Sequence, residues 1–192
     1  MAFPLLTGSL DLLYRVAASV PADHLGAPTP CSRWTVAQVL LHAAGDQHVW
    51  ASIVGSGPLP GYDPFAPPRQ LNGNTRQLIT DAVDAATTAW AGVDPAAQTV
   101  PTPLPPTPTM APELAAAACA LDAAIHAWDV AVATGQPSPL TGRLASQLDP
   151  AARATAEPLR GFAYATALPA QPGDDPAATL LRYLGRDPHW TA

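Results

Sequence analysis

Proline decides how this chain of 192 residues can fold. Its 24 prolines fall in clusters: Pro21, Pro28 and Pro30; Pro58, Pro60, Pro64, Pro67 and Pro68; Pro101, Pro103, Pro105, Pro106 and Pro108; then Pro137. A proline in a helix interior removes one backbone donor and its ring collides with the preceding turn; it is also excluded from central strands. The clusters therefore mark connections, and regular structure is confined to the runs between them. Gly26, Gly55, Gly57 and Gly61 reinforce the first two breaks.

Those runs read as helices. The first, about 2–20, carries Leu5, Leu6, Leu10, Leu12, Leu13, Val16 and Val20 at approximately helical spacing. The second, 36–54, has a clear start: Thr35 and Gln38 form a Thr-x-x-Gln capping box, with Trp34 and Val39 at the two positions of a hydrophobic staple. The third, 74–91, carries Leu78, Ile79, Ala82, Ala86 and Trp90. The fourth, 112–134, opens on Pro112 and Glu113 and closes at Gly135 with Pro137 beyond. Its roughly 23 residues span about 34 Å, enough to traverse a bundle. Loop 55–73 is of a length that in a compact domain is more often functional than idle, and it is expected to form a pocket rim together with the proline-dense loop 92–112. A short extended piece at 98–100 is the only strand expected. Beyond Pro137, short helices are expected at 141–148, 150–159 and 175–184, with a turn at Pro172–Gly173. No internal repeat is visible. The reading is an all-α fold: a four-helix bundle over 1–140, with a helical extension, 141–192, packed on it rather than forming an independent domain.

Chemistry concentrates on the fourth helix. Asp122 and His126 lie four residues apart, so they share a face and can aim at one point. Both are metal-ligand types, and a divalent ion needs one or two more. Such pairs also occur as ordinary hydrogen-bonded partners on solvated faces. Here the surroundings are Ala, Leu, Ile, Val and Trp, where an unpaired Asp is costly to bury. His42 is the best additional ligand, although a lone His on an apolar face is more often a core residue. Asp46, one turn on, and Asp129, three after His126, are candidates to orient the ligands. Asp129 is equally suited to pairing with an Arg across the bundle. Cys119, one turn before Asp122, reads as a small hydrophobe. His48 points away from the His42 face, and His24 and His189 read as surface residues.

Nine basic residues, all Arg, face fifteen acidic ones, for a net charge of −6. That disfavours nucleic acid and anionic membrane surfaces as partners. No apolar run is expected to reach the roughly 20 residues that cross a bilayer, and the N-terminus lacks the basic start of a signal peptide. A cytoplasmic protein is the simplest expectation. Cys31 and Cys119 make neither a disulfide framework nor a CxxC zinc site. No Gly-x-Ser-x-Gly elbow, P-loop or Gly-x-Gly-x-x-Gly is present, so nucleotide cofactors have no support.

The run from Thr29 to His42, TPCSRWTVAQVLLH, resembles the opening of the second helix in the DinB-like superfamily. It is more closely similar to the metal-binding domain of mycothiol-dependent maleylpyruvate isomerase. His126 to Pro137 resembles that family's third-ligand helix, and Leu184 to Trp190 is like the close of stand-alone actinobacterial members. The resemblance implies a DinB-like four-helix bundle holding a divalent metal, Zn²⁺ or another such as Ni²⁺, on His42, Asp122 and His126. This chain has Asp where the isomerase would have Glu, which draws the carboxylate back by one methylene. About fifty residues follow the fourth helix, where the isomerase has a substantial C-terminal domain. Three protein ligands leave a position open, as in catalytic zinc sites. The expected function is activation of a low-molecular-weight thiol, mycothiol, for transfer to or isomerisation of a small electrophile. Arg69 and Arg76 are candidates to bind a substrate carboxylate. A zinc-dependent hydrolase and a non-catalytic, metal-stabilised binding or regulatory module remain open. The expected partners are a small-molecule substrate and, at most, a second copy in a homodimer.

Overall fold

The computed structural model describes residues 2–71 and 73–191. Four long helices form the body: α1 (Pro4–Ala18), α2 (Val36–Val54), α3 (Thr75–Ala91) and, after a β-ribbon of two strands with two residues each, α4 (Pro112–Ala133). Helix α1 packs on α4 and α3, and α2 packs on α3 and α4, so each helix touches two neighbours and the four close a bundle. The expected all-α, DinB-like helical architecture is what is found.

Local chemistry sets the helix ends. The capping box forms at Thr35, whose N–H donates to Gln38 Oε1 at 3.2 Å. Asn74 Oδ1 accepts from the Arg76 N–H at 2.8 Å and starts α3. Helix α4 ends in a Schellman motif: Gly135 adopts φ +71°, and the Gln136 N–H returns to the Ala131 carbonyl at 2.9 Å.

Helix α4 corrects one expectation. Its 22 residues, with mean hydropathy 1.4 over an 18-residue window, are long and apolar enough to cross a membrane. However, 83% of that window is buried inside the fold. The helix is apolar on nearly every face because other elements surround it: α1 and α2 within the bundle, and α5 (Gly142–Thr155) outside it.

Helix α5 is a second correction. Two short helices are expected, one ending at 148 and one opening on Pro150, yet one helix runs through Pro150 to Thr155, followed by a 3₁₀ turn at Glu157–Leu159. Pro150 sits on the exposed face, while Ala145, Leu148, Ala151, Ala152 and Thr155 are buried. The continuous buried stripe holds the helix together across the missing donor. The last helix, α6 (Pro176–Tyr183), is capped by Asp175 and packs on α5. The expected strand at 98–100 is instead β1 (Val100–Pro101), paired antiparallel with β2 (Thr109–Met110). Val100 and Met110 are buried and anchor the proline-dense connection. A two-stranded ribbon is all edge, so Pro101 breaks no central ladder.

Candidate metal centre

Helices α2 and α4 bring His42, Asp122 and His126 together, with their ligand atoms within 4.8 Å of one another. Asp122 Oδ1 lies 3.4 Å from His126 Nε2 and 3.7 Å from His42 Nε2. Tetrahedral zinc at about 2.0–2.1 Å from N and O ligands places neighbouring ligand atoms roughly 3.3 Å apart. The cluster fits such an ion. The short Asp side chain brings an oxygen to the same point that both imidazoles face.

Each imidazole is held by its other nitrogen. His42 Nδ1 lies 2.9 Å from the Pro64 carbonyl oxygen, and His126 Nδ1 lies 3.0 Å from Asp129 Oδ2. In the neutral ring a donor at Nδ1 leaves the lone pair on Nε2, facing the cluster, the arrangement that metal-binding histidines use. The Pro64 loop reaches His42 because α2 has glycine at position 45. A Cβ there would meet Pro64 Cγ at 2.8 Å and Tyr62 Cε2 at 3.3 Å. The loop is tied down further by Tyr62 Oη donating to the Leu41 carbonyl at 2.7 Å and by Gln38 Nε2 donating to Pro67 O at 3.3 Å. Trp34 and Phe65 pack against the His42 ring, with centroids 4.6 and 5.6 Å away.

Asp122 is steadied from α2. Gln47, fully buried, donates through Nε2 to Asp122 Oδ2 at 3.2 Å, and the Cys119 thiol donates to Gln47 Oε1 at 3.1 Å. Cys119 thus acts on the cluster through Gln47 and is not a ligand. Asp46, expected to orient His42, instead lies beside Asp122; the Pro64 carbonyl takes the role at His42. Asp129 pairs with both His126 and Arg186, at 3.0 and 2.8 Å. His48 is half-buried away from the cluster, and its Nδ1 has no hydrogen-bond partner among the described residues. His24 and His189 are exposed.

The charges are strongly perturbed. Burial lowers the His126 pKa, but the Asp122 and Asp129 carboxylates outweigh it and hold it at about 10. Burial raises Asp122, and the two imidazoles overcome this to hold it below the usual carboxylate range. Burial and the neighbouring Asp122 push Asp46 up to about 7. Asp129 is held at about 2, because Arg186 and His126 outweigh its burial.

The cluster lies in the wall of a cavity of about 390 Å³ lined by Cys31, Arg33, Trp34, Phe65, Phe162 and Tyr164, among others. Neither Arg69 nor Arg76 lines it; both are exposed elsewhere. Arg33 does line it, and its guanidinium makes no hydrogen bond or ion pair among the described residues, though its charge acts on the nearby Cys31 thiol.

A profile of the family described as "Mycothiol maleylpyruvate isomerase N-terminal domain" matches residues 6–131, which include all three cluster residues and Asp129. The chain belongs to this family. The family is a mycothiol-related one of metal-binding, DinB-like domains, so the resemblance seen in the sequence is sound. Two uncharacterized proteins of Mycobacterium tuberculosis, from strain CDC 1551 / Oshkosh and strain H37Rv, are each 31% identical over 185 residues, covering 92% of this chain and 92% of the relative. No solved structure matches the chain. Sequence reasoning missed Gln47, the Pro64 carbonyl and Arg186. Each is brought in by long-range packing that leaves no local spacing signal.

Proposed function

We propose that this protein binds one divalent metal, zinc, on His42, Asp122 and His126, and uses it to activate a low-molecular-weight thiol, mycothiol, for transfer to or isomerisation of a small electrophile. One observation carries the reading: two imidazole Nε2 atoms, each on a ring held by a partner at Nδ1, converge on one carboxylate oxygen in the wall of a cavity. When bound, zinc lowers the pKa of a coordinated thiol, so that thiolate is available at neutral pH.

The chain's own residues supply binding and exclusion of water. Trp34, Phe65 and Phe162 give the cavity apolar walls, and Phe65 and Phe162 approach each other with ring centroids 5.1 Å apart. Arg33, which makes no ion pair with a carboxylate among the described residues, is suited to an anionic group on the thiol or the electrophile. Asp46, which lines the cavity beside Asp122, is placed to accept or return a proton there. The partner is a small molecule, and a thiol-using enzyme of this kind belongs in the cytoplasm, where thiols are kept reduced.

The test replaces zinc with Co²⁺ and titrates mycothiol, cysteine and a thiol-free analogue. The reading expects a sulfur-to-cobalt charge-transfer band with mycothiol that is lost in His42→Ala. A filled cobalt site showing no such band at millimolar thiol would defeat the thiol reading, leaving hydrolysis or binding.

A further inference from the structure

The C-terminal extension lines the cavity with Phe162 and Tyr164 and meets the partner of His126, Asp129, through Arg186. Helix α6 closes in a Schellman motif: the Gly185 N–H returns to Arg182 O at 2.9 Å and the Arg186 N–H to Leu181 O at 2.8 Å, with Gly185 at φ +78°. A Cβ at Gly185 would meet Ala165 Cβ at 2.8 Å and Thr166 O at 2.9 Å, so the turn is pressed against the chain following the 3₁₀ turn. Arg186 leaves this rigid cap with its direction set.

Its guanidinium then grips Asp129 in bidentate fashion. Nε donates to Oδ1 at 2.9 Å and Nη2 donates to Oδ2 at 2.8 Å. Nη1 is 3.4 Å from the Leu184 carbonyl. Asp129 is fully buried, and its Oδ2 is the same atom that lies 3.0 Å from His126 Nδ1. The two-point clamp removes the carboxylate's freedom to rotate, and the carboxylate sets which ring nitrogen of His126 carries the proton.

We propose that Arg186 is a positioning residue of the metal centre: through Asp129 it keeps the His126 Nε2 lone pair aimed at the ion, so the extension beyond the family-matched residues is part of the site. This rests on the metal reading above. The competing role is an ordinary ion pair that docks the tail on α4, which would affect stability alone.

The experiment measures zinc affinity by chelator competition, the Co²⁺ ligand-field spectrum, and metal-free melting temperature in the full chain. Arg186→Lys keeps the charge but not the two-point grip, and Arg186→Gln is the second variant. Both should bind zinc about 10- to 100-fold more weakly than wild type, with shifted cobalt bands. Asp129→Asn should show a comparable loss, to which adding Arg186→Lys contributes nothing further. In wild-type protein, the Arg186 Nε–H signal in NMR spectra should move on zinc loading; this readout requires no variant to fold. Wild-type zinc binding with unchanged affinity in both Arg186 variants, or an unmoved Arg186 signal, would overturn this proposal alone. A wild type that binds no zinc would overturn the metal reading and this proposal with it.

Discussion

Substituting Gly45 by Ala sets two physical effects against each other at the candidate site. In a helix interior, Gly→Ala gains about 0.8–1.0 kcal/mol of helix propensity. At Gly45 the added Cβ would lie 2.8 Å from Pro64 Cγ and 3.0 Å from Pro64 Cβ. A proline ring cannot swing aside without its backbone, so the whole loop must move. Overpacking of this kind costs about 1–3 kcal/mol. The net expectation is destabilisation of up to about 2 kcal/mol, from the difference of those two ranges. Gly8→Ala is the control: it also lies inside a helix, α1, but its Cβ would meet nothing within 4 Å. That variant should keep the full gain. The two should therefore differ by about 1–3 kcal/mol, or roughly 2–12 °C in melting temperature at about 2–4 °C per kcal/mol for a chain of this size. Moving Pro64 also removes the carbonyl 2.9 Å from His42 Nδ1, so Gly45→Ala should weaken zinc binding about tenfold or more. Thermal melts of the metal-free proteins and chelator competition read the two effects. Gly45→Ala stabilised like Gly8→Ala, with wild-type zinc affinity, would refute the claim that the loop is seated on α2 and orients His42.

Metal removal should lower stability: zinc at about 100 times its Kd adds about 2.7 kcal/mol to the folded state, and His126→Ala should erase the difference between zinc-loaded and chelator-treated melts. A wild-type melt indifferent to chelator counts against the site. Metal binding should also release a proton. His126, held at about 10 against burial by Asp122 and Asp129, is protonated at neutral pH in the metal-free protein and must lose that proton to ligate. Its folded pKa lies above its ordinary value near 6.5, so it stabilises the metal-free fold fully below that pH, and this contribution fades as pH rises toward 10. The zinc-loaded protein should lack that fade. Calorimetric zinc titrations at pH 7.5 in buffers of different ionisation enthalpy should return about one proton released; an enthalpy independent of buffer would contradict the assignment.

The bundle was legible because its signals are local. The capping box at Thr35, the Gly135 stop and the proline clusters each act within a few residues, and the helix ends follow them closely. Helix α5 was not legible across Pro150, because a proline ordinarily ends a helix and only the buried stripe from Ala145 to Thr155 shows why it continues. The Asp122–His126 pair was readable from its four-residue spacing. His42 could be nominated, but its loop partner could not. Gln47 meets Asp122 across 75 residues and Arg186 meets Asp129 across 57, and no periodicity records such pairings. Asp46 drew attention by its one-turn spacing from His42. In the fold it lies beside Asp122 while Gln47, one residue on, holds that carboxylate.

The central claim is that His42, Asp122 and His126 form one metal site. It is tested most directly by zinc content, measured by elemental analysis after chelator stripping and reconstitution, for wild type, His42→Ala and His126→Ala. Wild type should hold one zinc per chain and neither variant should retain any, with both variants folded by circular dichroism. Equal zinc content in all three proteins would contradict it.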